Sequence, residues 1–310
     1  MPHDHHEEKG HSHGHSHTPP SNNAAFAIGV ALNLGFVVAE VVYGLAAHSL
    51  ALLSDAGHNM SDVLGLLIAW GAIHISKSLP TKRHTYGLRR ASILAALTNA
   101  VVLLIVVGGI TWEAIGRIFH PETVAGSTVI WVAAAGVVIN TISALLFMAG
   151  REHDLNIKGA FLHMAGDAAV SLGVVGIGFA IRATGWHWLD PAVSILIGCV
   201  IVWGTWGLLR ESVNLSMDAV PSGIDPHAVE AYLIGLAGVQ AVHDLHIWGM
   251  STTESALTVH LVMPQPPKDD KFLHEVGHEL HEHFEIGHIT IQIEHGDADF
   301  ACHQEPAHVV

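Results

Sequence analysis

The 310-residue chain is 50% hydrophobic and 13% charged, with a mean hydropathy of +0.41, too apolar for an ordinary soluble domain and typical of a multi-span membrane protein. Its 28 acids against 13 bases give a formal charge of −15 with the 27 histidines neutral, a balance that excludes nucleic acid as partner and favours cations. With only Cys199 and Cys302 there is no disulfide framework, and the amino terminus has no cationic stretch ahead of an apolar core, so no cleaved signal peptide is expected.

In chain order, residues 1–23 form a low-complexity tract with histidines at 3, 5, 6, 11, 13, 15 and 17, closing on Pro19-Pro20. Such a tract reads as a disordered tail with weak metal chelation. Residues 24–210 hold six apolar segments of the ~20 residues needed to cross ~30 Å of hydrocarbon. They run approximately Ala24–Ala47, Leu52–Ile75, Ile93–Ile118, Thr128–Met148, Ala160–Ile181 and Trp188–Leu209. Lys77, Lys82, Arg83, Arg89 and Arg90 follow the second segment, Arg151 and Lys158 the fourth, and Arg210 the sixth, against only Arg117 and Arg182 on the other side. The positive-inside rule then puts both termini in the cytosol, which for a bacterial-type cell means an inner (plasma) membrane.

From residue 211 to about 300 the pattern is that of a soluble domain, followed by a short tail over 301–310. Asp225–Gly238 predicts a helix with Asp as N-cap and Pro at the first turn. Val242–Gly249 and Ala256–Met263 predict strands, Asp269–Phe284 an amphipathic helix, and His288–His295 a third strand. The order αββαβ suits a small ferredoxin-like α+β layer, with two helices on one face of a three-stranded sheet. After Glu211 the only bases are Lys268 and Lys271.

Two His-x-x-x-Asp pairs lie inside the apolar segments, His58/Asp62 in the second and His163/Asp167 in the fifth. A spacing of four puts both side chains on one helix face, and Asp62 falls ~15 Å along its segment, near mid-bilayer. A lone His or Asp at that depth reads as polar glue between helices. Two copies of one spacing argue instead for a shared site with two imidazole nitrogens and two carboxylates, a four-coordinate N/O set suited to Zn²⁺ and similar divalent metals. Two anionic Asp would cancel the ion's charge, and protons would compete with metal for the same groups. Asp55, one turn before His58, reads as structural, and so do Asn33, Glu40 and Asn140.

Six spans, the paired motifs, the His-rich amino terminus and the αββαβ tail together resemble the cation diffusion facilitator family, and within it the zinc-transporting branch. The likeness rests on the run from Ser49 to Asp62 (SLALLSDAGHNMSD), on His163-Met164-Ala165-Gly166-Asp167, and on Val242-His243-Asp244-Leu245-His246-Ile247-Trp248. It covers nearly the whole chain after Ala24. The resemblance implies a homodimeric proton-coupled antiporter that moves Zn²⁺, with Cd²⁺, Co²⁺ or Ni²⁺ as further substrates, out of the cytosol. It also implies a regulatory metal site in the tail at His243 and His260, with Glu294 from the third strand, and with His274 or a neighbour, or Cys302, completing it. Some family members carry a further site in the loop after the second span. Here that loop offers His74 and His84, but Leu88 and Arg89 stand where a later ligand is needed, so any such site is incomplete.

One motif points elsewhere. His274-Glu275-Val276-Gly277-His278 matches His-Glu-x-x-His, the helix of zinc peptidases with two ligands and a general-base Glu. The alternative reading is therefore a membrane metallopeptidase. Against it, Phe272, Val276, Leu280 and Phe284 claim the buried face of that helix, and the chain beyond Phe284 offers one strand and no helix for a third ligand. The expectation is a transporter with no catalytic residues and no organic cofactor.

Overall fold

The computed structural model describes residues 23–76, 80–148, 155–297, 299 and 302–304; within its helices the side chains of 23–30, 32, 66, 69–70, 72–76, 146–148 and 155–163 fall outside that description. The His-rich tract, and the side chains of His74 and His163, therefore lie outside the described residues.

Apolar sequence of this length folds as helix because hydrocarbon supplies no partner for free backbone groups. Six helices result: α1 (Asn23–Ala46), α2 (Leu50–Ser76), α3 (Ala91–Phe119), α4 (Gly126–Met148), α5 (Leu155–Thr184) and α6 (Leu189–Ser216). Among the described residues, four segments are long and apolar enough to cross a membrane: Ala91–Phe119, Gly126–Leu145, Met164–Thr184 and Leu189–Ser216. The described apolar part of α1, Asn33–Ala46, is shorter, and α2 is interrupted by Asp55, His58 and Asp62. Trp112, Trp131 and Trp203 stand out from the bundle uncovered by protein, as side chains facing lipid do. The interior is a small-residue and aliphatic core that includes Ala51, Leu52, Val107, Val129, Ala133, Val174 and Ile197.

Two contacts fix how the helices meet. Where α4 crosses α5, a Cβ added to Gly126 would lie 3.0 Å from the Gly178 carbonyl, and one on Gly178 would lie 2.7 Å from Ile130 Cγ1. The two backbones approach as closely as small residues permit in membrane helices. At the start of α2, buried Asp190 from α6 acts as a cap in trans. It accepts from Leu50 N at 2.7 Å and Ser49 Oγ at 2.5 Å, with Ala51 N at 3.4 Å. These N–H groups have no partner inside their own helix, so Asp190 ties α2 to the end of α6 where its own chain begins.

α6 runs to Ser216, beyond the expected end of the sixth span, and delivers the chain to the tail; a Cβ on Gly249 would meet Leu215 at 2.8 Å. The tail has the order α7 (Pro226–Ile234), β1 (Ala241–Gly249), β2 (Ser255–Val262), α8 (Lys271–Phe284), β3 (Ile286–Glu294). Asp225 caps α7 through the backbone N–H of His227 at 3.0 Å, as its sequence predicts. α7 closes at Gly235 instead of running to Gly238, whose φ of 91° belongs to a turn. The sheet order is β1-β2-β3, antiparallel then parallel. Leu257, Val259 and Leu261 of the central strand point to one face, where Val229 and Leu233 of α7 and Val276 and Leu280 of α8 cover them.

Two outcomes follow. Leu280→Ala, at a fully buried position, should cost the tail about 2–5 kcal/mol of unfolding free energy, read from denaturant melts. Asp190→Ala should leave the buried N–H groups of Leu50 and Ala51 without an acceptor, costing about 1–3 kcal/mol each and lowering the melting temperature of the purified protein.

Candidate metal centres

The first centre sits where α2 and α5 face each other. His58 Nε2 lies 3.1 Å from Asp167 Oδ1 and 3.9 Å from Asp62 Oδ2, and the ligand atoms of all three residues fall within 4.8 Å of one another. Asp167 is buried and the other two are half-buried. Helical periodicity builds this arrangement: four residues separate His58 from Asp62, so one helix supplies an imidazole and a carboxylate to one point. Asp167 arrives from α5. His163 stands four residues before it on the same helix, with its side chain outside the described residues. A cavity of about 650 Å³ opens beside the group, lined by His58, Ser61, Asp62 and Asp167 and continuing along an apolar wall of α6 from Val193 to Leu208. An imidazole and two carboxylates offer borderline nitrogen and hard oxygen donors that, with both carboxylates ionised, would balance the charge of a divalent cation. Asp55 is fully buried and accepts from Ser171 Oγ at 3.1 Å.

The second centre lies in the tail, on the sheet face away from α7 and α8. His243 and His260 are paired across β1 and β2, their rings edge to face at 5.0 Å. Glu294, near the end of β3, reaches both, with Oε2 3.1 Å from His243 Nε2 and Oε1 3.0 Å from His260 Nδ1. Cys302 Sγ approaches His260 Nδ1 at 3.5 Å, completing a His₂GluCys group within 4.8 Å. Burial works to raise the Glu294 carboxyl, but hydrogen bonds from Gln292, Cys302 and His243 outweigh it and hold the group below its ordinary range. A backbone hydrogen bond from Gln304 favours the Cys302 thiolate, yet burial and the neighbouring Glu294 and Asp244 carboxylates push the thiol up. A metal binding here must therefore displace the thiol proton. His243 Nδ1 is buried with no hydrogen-bond partner among the described residues.

The strand pattern does not reveal one participant. The ladder between β1 and β2 is irregular between His243 and His246, and Asp244 sits there at φ 51°. This bulge absorbs one residue, so His246, opposite Thr258, emerges on the same face as His243, opposite His260. Asp244 turns in beneath them, 2.9 Å from His246 Nε2 and 3.5 Å from His260 Nε2. The signal available in the sequence was two histidines at an odd separation within one strand.

The remaining candidates do not join either group. His274 and His278 are exposed on α8, and Glu275 pairs with Lys271 at 3.4 Å. Neither histidine belongs to a ligand cluster among the described residues, and α8 leads directly into β3, so the peptidase reading finds no third ligand among the described residues. His84 is exposed in the loop after α2, where its backbone N–H donates to Thr81 Oγ1 at 3.0 Å. That loop docks on the tail instead: Arg89 pairs with Glu254 at 3.0 Å, Arg90 pairs with Asp218, and the Tyr86 ring meets His288 edge-on at 5.3 Å.

Comparison with known proteins agrees with this division. Residues 26–215 match the family described as the cation efflux transmembrane domain, and residues 221–296 match the cytoplasmic domain of cation efflux proteins. The metal cation efflux system protein CzcD of Cupriavidus metallidurans is 39% identical over 286 residues, covering 92% of this chain and 90% of that protein. The zinc transporter ZitB of Escherichia coli is 37% identical over 304 residues, 96% of this chain and 95% of that one. A cadmium, cobalt and zinc/H(+)-K(+) antiporter of Bacillus subtilis is 33% identical over 286 residues, with 91% and 92% covered. With a buried N/O centre in a helical membrane domain and a thiol-containing centre in an α+β tail, the chain belongs to the cation efflux family and is a multi-pass metal cation efflux transporter, not an enzyme.

Proposed function

We propose that the protein exports Zn²⁺ from the cytosol in exchange for protons, through a tetrahedral site made of His58, Asp62, His163 and Asp167. The observation that carries this is the convergence of His58, Asp62 and Asp167 inside the helical bundle, with the apolar cavity beside them. All six helices cross the bilayer in this reading, both termini face the cytosol, and the chain works as a homodimer in the bacterial inner membrane. Cd²⁺, Co²⁺ and Ni²⁺ are candidate substrates beside Zn²⁺, because borderline N and hard O donors accept each of them. Metal binds when His58 and His163 are neutral and Asp62 and Asp167 ionised; protons bind when metal has left, because bare carboxylates at this depth are costly.

In the tail, His243, His260, Glu294 and Cys302 form a regulatory site, with His274 outside it. The tail carries few bases, so two apposed copies repel, and bound Zn²⁺ relieves that repulsion and favours the closed pair.

Four measurements test this. In inverted vesicles, Asp62→Ala and Asp167→Ala should each abolish Zn²⁺ uptake, because either leaves the ion's charge half matched; wild-type rates in either variant would refute the site. His58→Asp should change metal preference, since it exchanges nitrogen for a hard oxygen. Uptake should require an imposed proton gradient and fall as the pH on the cytosolic face drops, because the ligands become protonated; transport indifferent to an uncoupler would point to a uniporter. Zinc at about 100 times its dissociation constant should stabilise the tail by about 2.7 kcal/mol, a gain that should shrink in His243→Ala/His260→Ala.

A further inference from the structure

Next to the transport centre lies a second polar layer that its ligands do not include. It sits one turn farther from the tail: Asp55 precedes His58 by three residues on α2, and Ser171 follows Asp167 by four on α5. Glu40 of α1 and Asp55 of α2 are both fully buried there. Asn59 Nδ2 donates to Glu40 Oε2 at 2.9 Å, and Ser171 Oγ donates to Asp55 Oδ2 at 3.1 Å. The two carboxyl groups lie close enough to act on each other. Their remaining oxygens, Glu40 Oε1 and Asp55 Oδ1, are buried and receive no donor from any described group.

Two carboxylate oxygens have no hydrogen with which to bond each other. A positive charge must stand between them, and the smallest is a proton. Among the described residues, no lysine or arginine pairs with either carboxyl to serve instead. α4 carries no ionisable side chain at all. On α3, Glu113 is engaged with Arg117, and on α6 Asp190 is committed to the start of α2. The ionisable groups whose charge reaches Asp55 are Glu40, His58 and Asp167.

We propose that Glu40 and Asp55 form a proton-binding station separate from the metal ligands, holding one shared proton that takes part in the exchange for metal. The inference rests on the proton-exchange reading above and adds a carrier to it. The protonated carboxyl donates to the other's carboxylate, leaving the pair at net −1. A divalent cation arriving one turn away repels that proton, and departure of the cation lets it return. Because neither Glu40 nor Asp55 ligates the metal, the proton on this pair is counted in addition to any displaced from His58, Asp62 and Asp167.

The test uses the full chain in proteoliposomes with trapped pH and zinc indicators, giving protons exchanged per Zn²⁺, together with Zn²⁺ affinity of the purified protein at fixed pH. Glu40→Gln keeps an acceptor for Asn59, and Asp55→Asn keeps one for Ser171. Each should lower the exchange by about one proton per metal and leave Zn²⁺ affinity within about threefold of wild type. Glu40→Asp, which retains the carboxyl, should restore the ratio. Should one neutral variant fail to melt cooperatively, the other and Glu40→Asp give the same readout. An unchanged proton ratio in the neutral variants overturns the station, and so does a loss of Zn²⁺ affinity beyond about tenfold, which would place the pair within the metal site. Replacing K⁺ by an impermeant cation tests the larger occupant: a K⁺ dependence of wild-type transport that vanishes in Glu40→Gln assigns the pair to an alkali ion and overturns the proton. A wild type that exchanges no protons for metal ends both this inference and the antiport reading; a proton-exchanging wild type with unaltered variants ends this one alone.

Discussion

A doubly charged ion inside an apolar bundle is tolerable only where fixed negative charge lies within bonding distance of it, and the proposed site meets that requirement with Asp62 and Asp167. Asp62 and Asp167 come from different helices, so their separation depends on how α2 and α5 are held. Neither helix is left to settle alone. The carboxylate of Asp190 clips the first turn of α2 to α6, and the backbones of α4 and α5 are in contact at Gly126 and Gly178. Distances of this kind cannot drift by an ångström without loss of binding. In the proposed site the scaffold contacts are therefore part of the ion's environment although they never touch it.

The two metal centres differ in donor chemistry. The membrane centre offers imidazole and carboxylate, while the tail centre adds the sulfur of Cys302. Thiolate favours softer ions, so the two centres rank the same metals differently.

Much of this was legible in the sequence because it depends on periods that helices and strands impose. The spacing of His58 from Asp62 reads directly as one helix face. The alternation of Leu257, Val259 and Leu261 reads as the covered face of β2, and Asp225-Pro226 as the start of α7. The unread parts depend on meetings between distant segments. Nothing near Asp190 announces that it caps a helix 140 residues earlier in the chain. Glu40 and Asp55 look like unrelated polar interruptions of two spans, and their pairing exists only once α1 lies against α2. Asp244 was hidden for another reason: a bulge breaks the period-two rule by which strand faces are read. The resemblance offered His274 or a neighbour as a further ligand of the tail site, but the register of α8 turns His274 to solvent.

In the proposed orientation Arg89 and Arg90 belong to the basic cluster on the cytosolic side, and both are engaged with acids of the tail. Asp218 is made 128 residues after Arg90, and Glu254 later still. While the ribosome is threading the first helices, these guanidinium groups have no partner and present their full charge to the insertion machinery. Only after the bundle is complete do the acids emerge and engage them. If the proposed orientation holds, the same two side chains contribute to topology early in biogenesis and dock the tail at its end, and the order of synthesis keeps the second role from cancelling the first.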